Sequence, residues 1–207
     1  MIAKMVKGKG FRGTLEYDLR QSKGYVLDSN MAGSTARELA REFGQVRALR
    51  PNLSRAVCHV SLALAPGESL SDAQWKEVAQ KYLEHMDFTE NQFVASRHTD
   101  AAHQHIHLLI NRVTLSGEVV SDSHDYKRQE SLMRRLEQEY GLSQVKPSRE
   151  AERKALTKGE IEHALRTEQP SVRMRLQELV DIALQQANTL GDFITTLDGQ
   201  GVSIKLN

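Results

Sequence analysis

The chain has 207 residues, and its 28 lysines and arginines almost balance its 27 aspartates and glutamates, which leaves a formal net charge of +1. The composition indicates a soluble globular protein, and no apolar run is long enough for a membrane span or a secretory signal. A single cysteine excludes an internal disulfide and a thiolate-rich zinc site.

The charge is unevenly distributed along the chain. Residues 1–55 contain eleven basic and five acidic residues, so the rest of the chain is net negative. A basic N-terminal third is what a surface that binds a polyanion needs. A solvated helical face would have the same composition, and charge alone favours that plainer interpretation.

The first predicted element is a strand over residues 2–6, followed by a turn that is rich in glycine and basic residues. Such a turn brings backbone amides and cations close to a phosphate, and we expect its basic side chains to contact DNA. It lacks the Gly-Lys-Ser/Thr ending of a Walker A loop. The basic residues concerned are Lys7, Lys9 and Arg12.

A helix is predicted from about Leu15, capped by Thr14, with Tyr17 in its first turn and an end near residues 23–25. Ser34 or Thr35 caps a second helix. The later elements of this part of the chain follow from apolar periodicity. They are helices over 36–49, 72–86 and 127–140, strands over 57–64, 92–96 and 105–113, and a short strand at 119–120.

Four of the eight histidines lie within residues 98–107. His105 and His107 are two apart at the start of a predicted strand, so their imidazoles project from the same face. A third imidazole is available from His98 or from His103. Three such ligands form a facial metal site that keeps coordination positions open for a substrate.

The predicted elements after residue 145 are mainly helices. A linker is predicted at residues 146–149, followed by helices over 158–166, 171–187 and 190–197 and a final strand without a partner. We therefore expect an α+β fold with a mainly antiparallel sheet and flanking helices in residues 1–145. Residues 146–207 are expected to form a mostly helical extension that begins a longer C-terminal region.

A metal held by three neutral imidazoles keeps its full positive charge and polarises an anionic ligand such as a phosphodiester. Tyr17, which follows the first predicted strand and the turn rich in glycine and basic residues, offers a nucleophile. A tyrosine hydroxyl is weak at its free pKa of about 10, but a nearby metal and cations favour the phenolate. Attack on the phosphodiester would give a covalent phosphotyrosine and release a 3′-hydroxyl, which conserves the bond energy for resealing.

The sequence around these residues resembles the conjugative relaxases, which are HUH endonucleases that nick plasmid transfer origins. The segment from His98 to Arg112, with Asp100, His103, His105, His107 and Asn111 at its characteristic spacing, is similar to their third motif. The run from Gly8 to Tyr17 resembles the first motif of the mobilisation P-type members, in which a tyrosine ends a similar run. The resemblance covers about residues 1–145.

The resemblance implies the roles of individual residues. Tyr17 would be the nucleophile, His98, His105 and His107 the metal ligands, and Asp100 a catalytic residue that orients a histidine or supports the tyrosine. The family often has asparagine at the position of His103. Asn111 and Arg112 close the motif and are expected to contact DNA. The metal would be Mg²⁺ or Mn²⁺, although ligand softness alone also allows zinc or nickel.

The resemblance also implies partners. These are single-stranded DNA from an origin of transfer, a relaxosome accessory protein and the coupling protein of a type IV secretion system. The protein would act in the bacterial cytoplasm without membrane insertion and pass into the recipient cell when bound to DNA.

Four alternatives stay open. Tyr25 is a second candidate nucleophile, and His59 is either a residue of the site or a buried histidine with a structural role. The same chemistry serves rolling-circle replication initiators and transposase-like nucleases. A metal-dependent nucleic-acid binder or hydrolase would form no covalent adduct with DNA.

Overall fold

The structure is a computed structural model that describes residues 1–20, 22–150 and 157–204. The chain divides into two compact units, Met1–Pro147 and Ser148–Asn207. The first unit contains β1 (Ile2–Gly8), α1 (Arg12–Asp18), β2 (Gly24–Ser29), α2 (Ala36–Arg47), β3 (Val57–Ala63), α3 (Asp72–His85), β4 (Asn91–His98), β5 (His105–Thr114) and α4 (Asp125–Glu139). The second unit contains a 3₁₀ turn (Ser148–Glu150), α5 (Lys158–Thr167), α6 (Val172–Gln186) and α7 (Leu190–Gly199).

The five strands of the first unit form one sheet in the order β1-β3-β5-β4-β2. Every neighbouring pair is antiparallel. This confirms the predicted α+β class, and β4 and β5 form the hairpin that the sequence predicts around the histidine-rich loop. The predicted short strand at 119–120 is a single bridge between Val113 and Val119.

Helices cover both faces of the sheet. One face packs against α3 and α4 through a core that includes Trp75, Ile106 and Leu108. The other packs against α1 and α2 through a smaller core that includes Phe11 and Leu109. Because side chains alternate along β5, the histidines of this strand lie on the same face as Leu109, which α1 and α2 cover.

Two of the helices begin with the capping residues that the sequence predicts. Thr35 starts α2 and Ser71 starts α3, each in a capping box in which the side chain accepts a hydrogen bond from the third helical residue. The observed ends of both helices lie within two residues of the predicted ends.

The prediction for residues 14–25 is wrong in several respects. The helix begins at Arg12, and its N-cap residue is Phe11 rather than Thr14. The helix ends at Asp18, so Tyr17 lies in its last turn, and residues 24–29 form the edge strand β2. Gly24 pairs with His98 on β4, and a Cβ atom at Gly24 would lie 2.1 Å from the carbonyl oxygen of Arg97. Glycine is therefore required for the close approach of two strands, and it does not cap a helix.

The second unit consists mainly of helices, as the sequence predicts. Thr157, Ser171 and Thr189 cap α5, α6 and α7 in turn. Residues 202–204 do not form the predicted final strand, and residues 205–207 lie outside the described residues. None of the helices in the described part of the chain is long and apolar enough to cross a membrane.

Candidate active site

Three histidines meet on the face of the sheet that α1 and α2 cover. His98 ends β4 and pairs in register with His105, the first residue of β5, while His107 follows two residues later. The ring centroids of His98 and His107 are 4.2 Å apart, and those of His105 lie 5.2 and 5.3 Å from them. One ring nitrogen from each lies within 4.8 Å of the others, which is a spacing that a single metal ion can bridge.

The hydrogen bonds of the rings identify the nitrogens that are free to bind a metal. A carbonyl oxygen only accepts, so Nδ1 of His105 donates to the carbonyl of His103 at 3.3 Å. In the same way Nε2 of His98 donates to the carbonyl of Asp18 at 3.1 Å. The ring nitrogens that keep a lone pair for a metal are therefore Nε2 of His105 and Nδ1 of His98. Backbone carbonyls therefore set the ring orientation, as they do for metal-binding histidines in general.

Burial keeps two of these histidines neutral. Desolvation, which is only partly offset by the charge of Asp18, lowers the pKa of His107 to about 4 and also lowers the pKa of His98. A histidine must be neutral to bind a metal, so both are ready to act as ligands at neutral pH.

His103, the alternative third ligand, lies outside this group. Its ring centroid is 5.5 Å from that of His105, and its contribution is the carbonyl oxygen that accepts the bond from His105. The geometry places His98, rather than His103, with the two histidines of β5.

Asp18 is a residue of the site that the sequence analysis missed. Its side chain is buried, with Oδ2 3.1 Å from Nε2 of His59 and Oδ1 3.8 Å from Nε2 of His98 and 3.9 Å from Nδ1 of His107. Oδ1 has no hydrogen-bond partner. A buried carboxylate oxygen without a partner is costly, and a nearby cation or a protonated ring nitrogen would offset that cost.

The sequence did contain a signal for Asp18. Phe11, Leu15 and Asp18 are spaced four and three residues apart, and on a helix such positions share one face. The first two are core residues, so the third position is directed inward as well. An aspartate on an otherwise apolar stripe indicates a buried charge with a specific partner.

His59 lies beside this carboxylate. It projects from β3 on the same face, and its Nε2 is 3.0 Å from Nδ1 of His107 as well as 3.1 Å from Asp18. Asp18, His59 and His107 form a second group of potential ligand atoms within 4.8 Å of one another. The first group offers three nitrogen donors, and the second adds a carboxylate oxygen. Both kinds of donor bind divalent transition metals.

Tyr17 stands at the edge of the histidine cluster. Its ring centroid is 6.2 Å from that of His98, and the residue is 47% exposed to solvent. Tyr25 lies elsewhere. It pairs with Arg97 and its hydroxyl donates to the carboxylate of Asp72 on α3, on the opposite face of the sheet. The structure therefore brings Tyr17, and not Tyr25, to the histidines.

Asp100 lies in the loop between β4 and β5. Its Oδ1 is 3.7 Å from Nδ1 of His98 and 3.7 Å from Nε2 of His105, and its Oδ2 is 3.5 Å from Nζ of Lys23. Desolvation acts to raise the pKa of this carboxyl, but its own backbone amide, His98 and Lys23 together lower it. Asp100 is therefore an anion at the open side of the cluster.

The residues predicted to contact DNA fall into two groups. Lys9 is exposed in the turn before α1. Arg12, the first residue of α1, is also exposed and forms an ion pair with Glu16. Lys7 lies on the other face of the sheet and binds Asp122 and Asp125.

Asn111 and Arg112 are buried, with 0% and 7% of their surface exposed. The side chain of Asn111 bonds to Phe43, Gln92 and Val113, and that of Arg112 bonds to the carbonyls of Arg55 and Val120. Their buried positions argue against the predicted contact with DNA and support a structural role.

Comparison with known proteins adds independent information. A family model described as relaxase, MobA/VirD2-like, nuclease domain, matches residues 17–142. A comparison with curated proteins found no match.

Solved structures of the MobM relaxase domain (MOBV; Mob_Pre) share the fold. One is Mn-bound and carries 22 nucleotides of plasmid pMV158 oriT DNA, with a TM-score of 0.56, 16% identity, and coverage of 79% of this chain and 98% of that one. Another carries 26 nucleotides of the same DNA, with a TM-score of 0.53, 19% identity, and coverage of 77% and 98%. At these identities the likeness concerns the fold.

Proposed function

We propose a function for this chain on the premise that it belongs to the relaxase family with a MobA/VirD2-like nuclease domain. It is a DNA relaxase, which is a site-specific DNA endonuclease. We infer that Tyr17 is its nucleophile and that His98, His105 and His107 hold its metal ion. The observation that carries this proposal is the position of an exposed tyrosine beside three clustered, largely buried histidines.

The residues of the site fit a divalent cation, for which we propose Mn²⁺ or Mg²⁺. Two of the histidines are held neutral by burial, and the unpartnered oxygen of Asp18 faces the cluster. The similar MobM domains are described as Mn-bound. The ion, when bound, would act as a Lewis acid toward a phosphodiester oxygen.

The proposed reaction is a transesterification. The hydroxyl oxygen of Tyr17 forms a bond to phosphorus, and the bond between phosphorus and the 3′-oxygen breaks, with its electron pair going to that oxygen. Tyrosine loses a proton and the leaving 3′-oxygen gains one, so no further reactant is needed. The product is a 5′-phosphotyrosine, and because one phosphodiester replaces another, the 3′-hydroxyl can attack in reverse and reseal the strand.

Asp18 and His59 support the ligands in this proposal. Oδ2 of Asp18 lies 3.1 Å from Nε2 of His59, and its Oδ1 lies within 4 Å of nitrogens on His98 and His107, so its negative charge stabilises the orientation of these rings. Asp100 has a related role on the open side of the cluster, where it lies between His98 and His105.

The substrate we propose is single-stranded DNA from an origin of transfer. Lys9, in the turn before α1, and Arg12, the first residue of the helix that carries Tyr17, are exposed and would contact phosphates. Binding through such contacts weakens as salt increases, because bound counterions are released. The MobM domains with this fold are described as bound to oriT DNA.

Several finer assignments rest on sequence resemblance. We propose that the chain is of the mobilisation P-type, that residues 1–145 form the nicking domain, and that residues 146–207 form a helical extension. An accessory protein and a secretion coupling protein are its proposed partners. We propose that it acts in the bacterial cytoplasm and is transferred to the recipient cell while it is bound to DNA.

The proposal is tested by covalent adduct formation. The protein is incubated with single-stranded origin DNA and Mn²⁺, and a DNA–protein adduct is sought on a denaturing gel. We expect an adduct with the unmodified chain and with Tyr25→Phe, and none with Tyr17→Phe. Tyr25 is a matched control because it has similar exposure but lies on the opposite face. An adduct that survives Tyr17→Phe would show that another residue is the nucleophile.

A further inference from the structure

Lys23 connects two parts of the candidate site. Its ammonium lies over the ring of Tyr17, with Nζ 3.6 Å from the ring centroid. The same Nζ is 3.5 Å from Oδ2 of Asp100. One cation therefore touches both the proposed nucleophile and the carboxylate beside the metal ligands.

The backbone of Lys23 is fixed independently of its side chain. Its carbonyl oxygen accepts from the amide of Thr99 at 2.7 Å and from the Thr99 hydroxyl at 3.3 Å. The next residue, Gly24, is paired with His98 in the sheet. Lys23 is therefore held against the end of β4, where the histidine loop begins, and its side chain is directed back toward α1.

We propose that Lys23 is the positioning residue for Tyr17: it holds the tyrosine ring beside the metal ligands and stabilises the phenolate during attack. Asp100 in turn keeps the ammonium in place. This proposal rests on the proposed function, because it assigns a role in the reaction of Tyr17 with DNA.

The electrostatics favour this role. The neighbouring Tyr17 and Asp100 raise the pKa of Lys23, so the side chain remains a cation across the neutral range. A cation over an aromatic ring is attracted by its negative face, which fixes the ring in the ground state. The attraction grows when the hydroxyl loses its proton, because a full negative charge then faces the ammonium.

Lys23 affects the rate because its ammonium attracts the phenolate of Tyr17 more strongly than the phenol. An interaction that is stronger with the phenolate than with the phenol lowers the barrier to attack, whereas equal binding of both would not. During the step the tyrosine oxygen bonds to phosphorus, the bond to the 3′-oxygen breaks, and the proton lost by Tyr17 is balanced by the one gained by that oxygen. Lys23 keeps its own proton throughout.

The test separates the rate of cleavage from the affinity for DNA. Lys23→Met removes the charge and keeps most of the side-chain length, Lys23→Arg keeps the charge, and Lys76→Met removes an exposed lysine from α3 on the opposite face. Adduct formation is followed under single-turnover conditions with Mn²⁺ and saturating origin DNA, and the Kd for DNA is measured separately. We expect Lys23→Met to lower the rate about 10- to 100-fold. Its Kd should change less than about threefold.

The remaining variants complete the test. Lys23→Arg should recover most of the rate, and Lys76→Met should behave as the unmodified chain. A Lys23→Met variant that cleaves at the normal rate, or one whose only defect is weaker DNA binding, overturns the proposal while the relaxase function stands. An unmodified chain that forms no adduct overturns both.

Discussion

Asp18 places its Oδ1 atom 3.9 Å from Nδ1 of His107, in a buried position where that oxygen has no hydrogen-bond partner. If Nε2 of His107 binds the metal, Nδ1 carries the proton and needs an acceptor. The acceptor is Nε2 of His59, which lies 3.0 Å from Nδ1 of His107. Asp18 lies 3.1 Å from the same His59 nitrogen and adds its negative charge to this pair of rings.

The first prediction concerns this contact. Asp18→Asn preserves the shape of the side chain but removes its charge, so the ligand rings lose their common anionic partner. We expect the Kd for Mn²⁺, measured by titration calorimetry, to rise about 10- to 100-fold. Asp72→Asn is the control, since Asp72 starts α3 on the opposite face. Equal Kd values for the Asp18→Asn variant and the unmodified chain would show that Asp18 does not orient the ligands.

The parts of the site that depend on a local residue pattern could be predicted from the sequence. The alternation at His105 and His107 predicts their shared face, and the hairpin predicts that His98 lies next to them. The position of Asp18 on the apolar face of α1 indicates only that it is buried. Its partners lie on three strands, and contacts between distant segments cannot be identified from a local pattern. The strand β2 was missed because the glycine that allows its close packing also occurs at helix ends.

Burial was also difficult to predict for polar residues. Asn111 and Arg112 follow the histidines on β5, and the expectation that they contact DNA came from their position at the end of the histidine motif. In the structure α2 and the segment near Val120 cover them and provide their hydrogen-bond partners. Which face of a strand is covered depends on helices that are remote in sequence, so it could not be read from residues 105–112 alone.

The second prediction concerns Cys58, whose burial raises its thiol pKa from 9.0 to about 12. The folded thiol therefore stays protonated and enclosed, and we expect no reaction with iodoacetamide at pH 8 until urea unfolds the chain. Because the unfolded thiol ionises first, the stability present below about pH 9 is lost as pH rises toward 12. Labelling followed by mass spectrometry checks this, and rapid modification of the native protein would contradict the buried position.

The third prediction tests the close approach of β2 and β4. A Cβ atom at Gly24 would lie 2.1 Å from a backbone oxygen of Arg97, so Gly24→Ala must push the strands apart. We expect the free energy of unfolding in urea to fall by roughly 1–3 kcal/mol or more. Gly10→Ala is the matched control, because a Cβ there meets nothing within 4 Å. If both variants unfold at the same urea concentration, the two strands are not in close contact at this point.

The last prediction concerns the residue that anchors the histidine loop. The side-chain oxygen of Gln104 accepts from Nε1 of Trp75 at 3.1 Å and from the amide of Leu70 at 2.9 Å, immediately before His105. Gln104→Ala leaves both donors without a partner, and we expect a loss of roughly 1–3 kcal/mol in the free energy of unfolding. Trp75 is the only tryptophan, so its fluorescence reports directly on this site.

The same substitution should affect the metal site, because the loop that positions His105 loses its attachment to α3. We therefore expect weaker Mn²⁺ binding together with a shift of the Trp75 emission maximum in the folded state. Gln80→Ala is the control, since Gln80 lies on α3 but bonds to Asp28, away from the loop. Normal metal affinity in a Gln104→Ala variant whose emission is shifted would show that the anchor stabilises the fold without positioning the ligands.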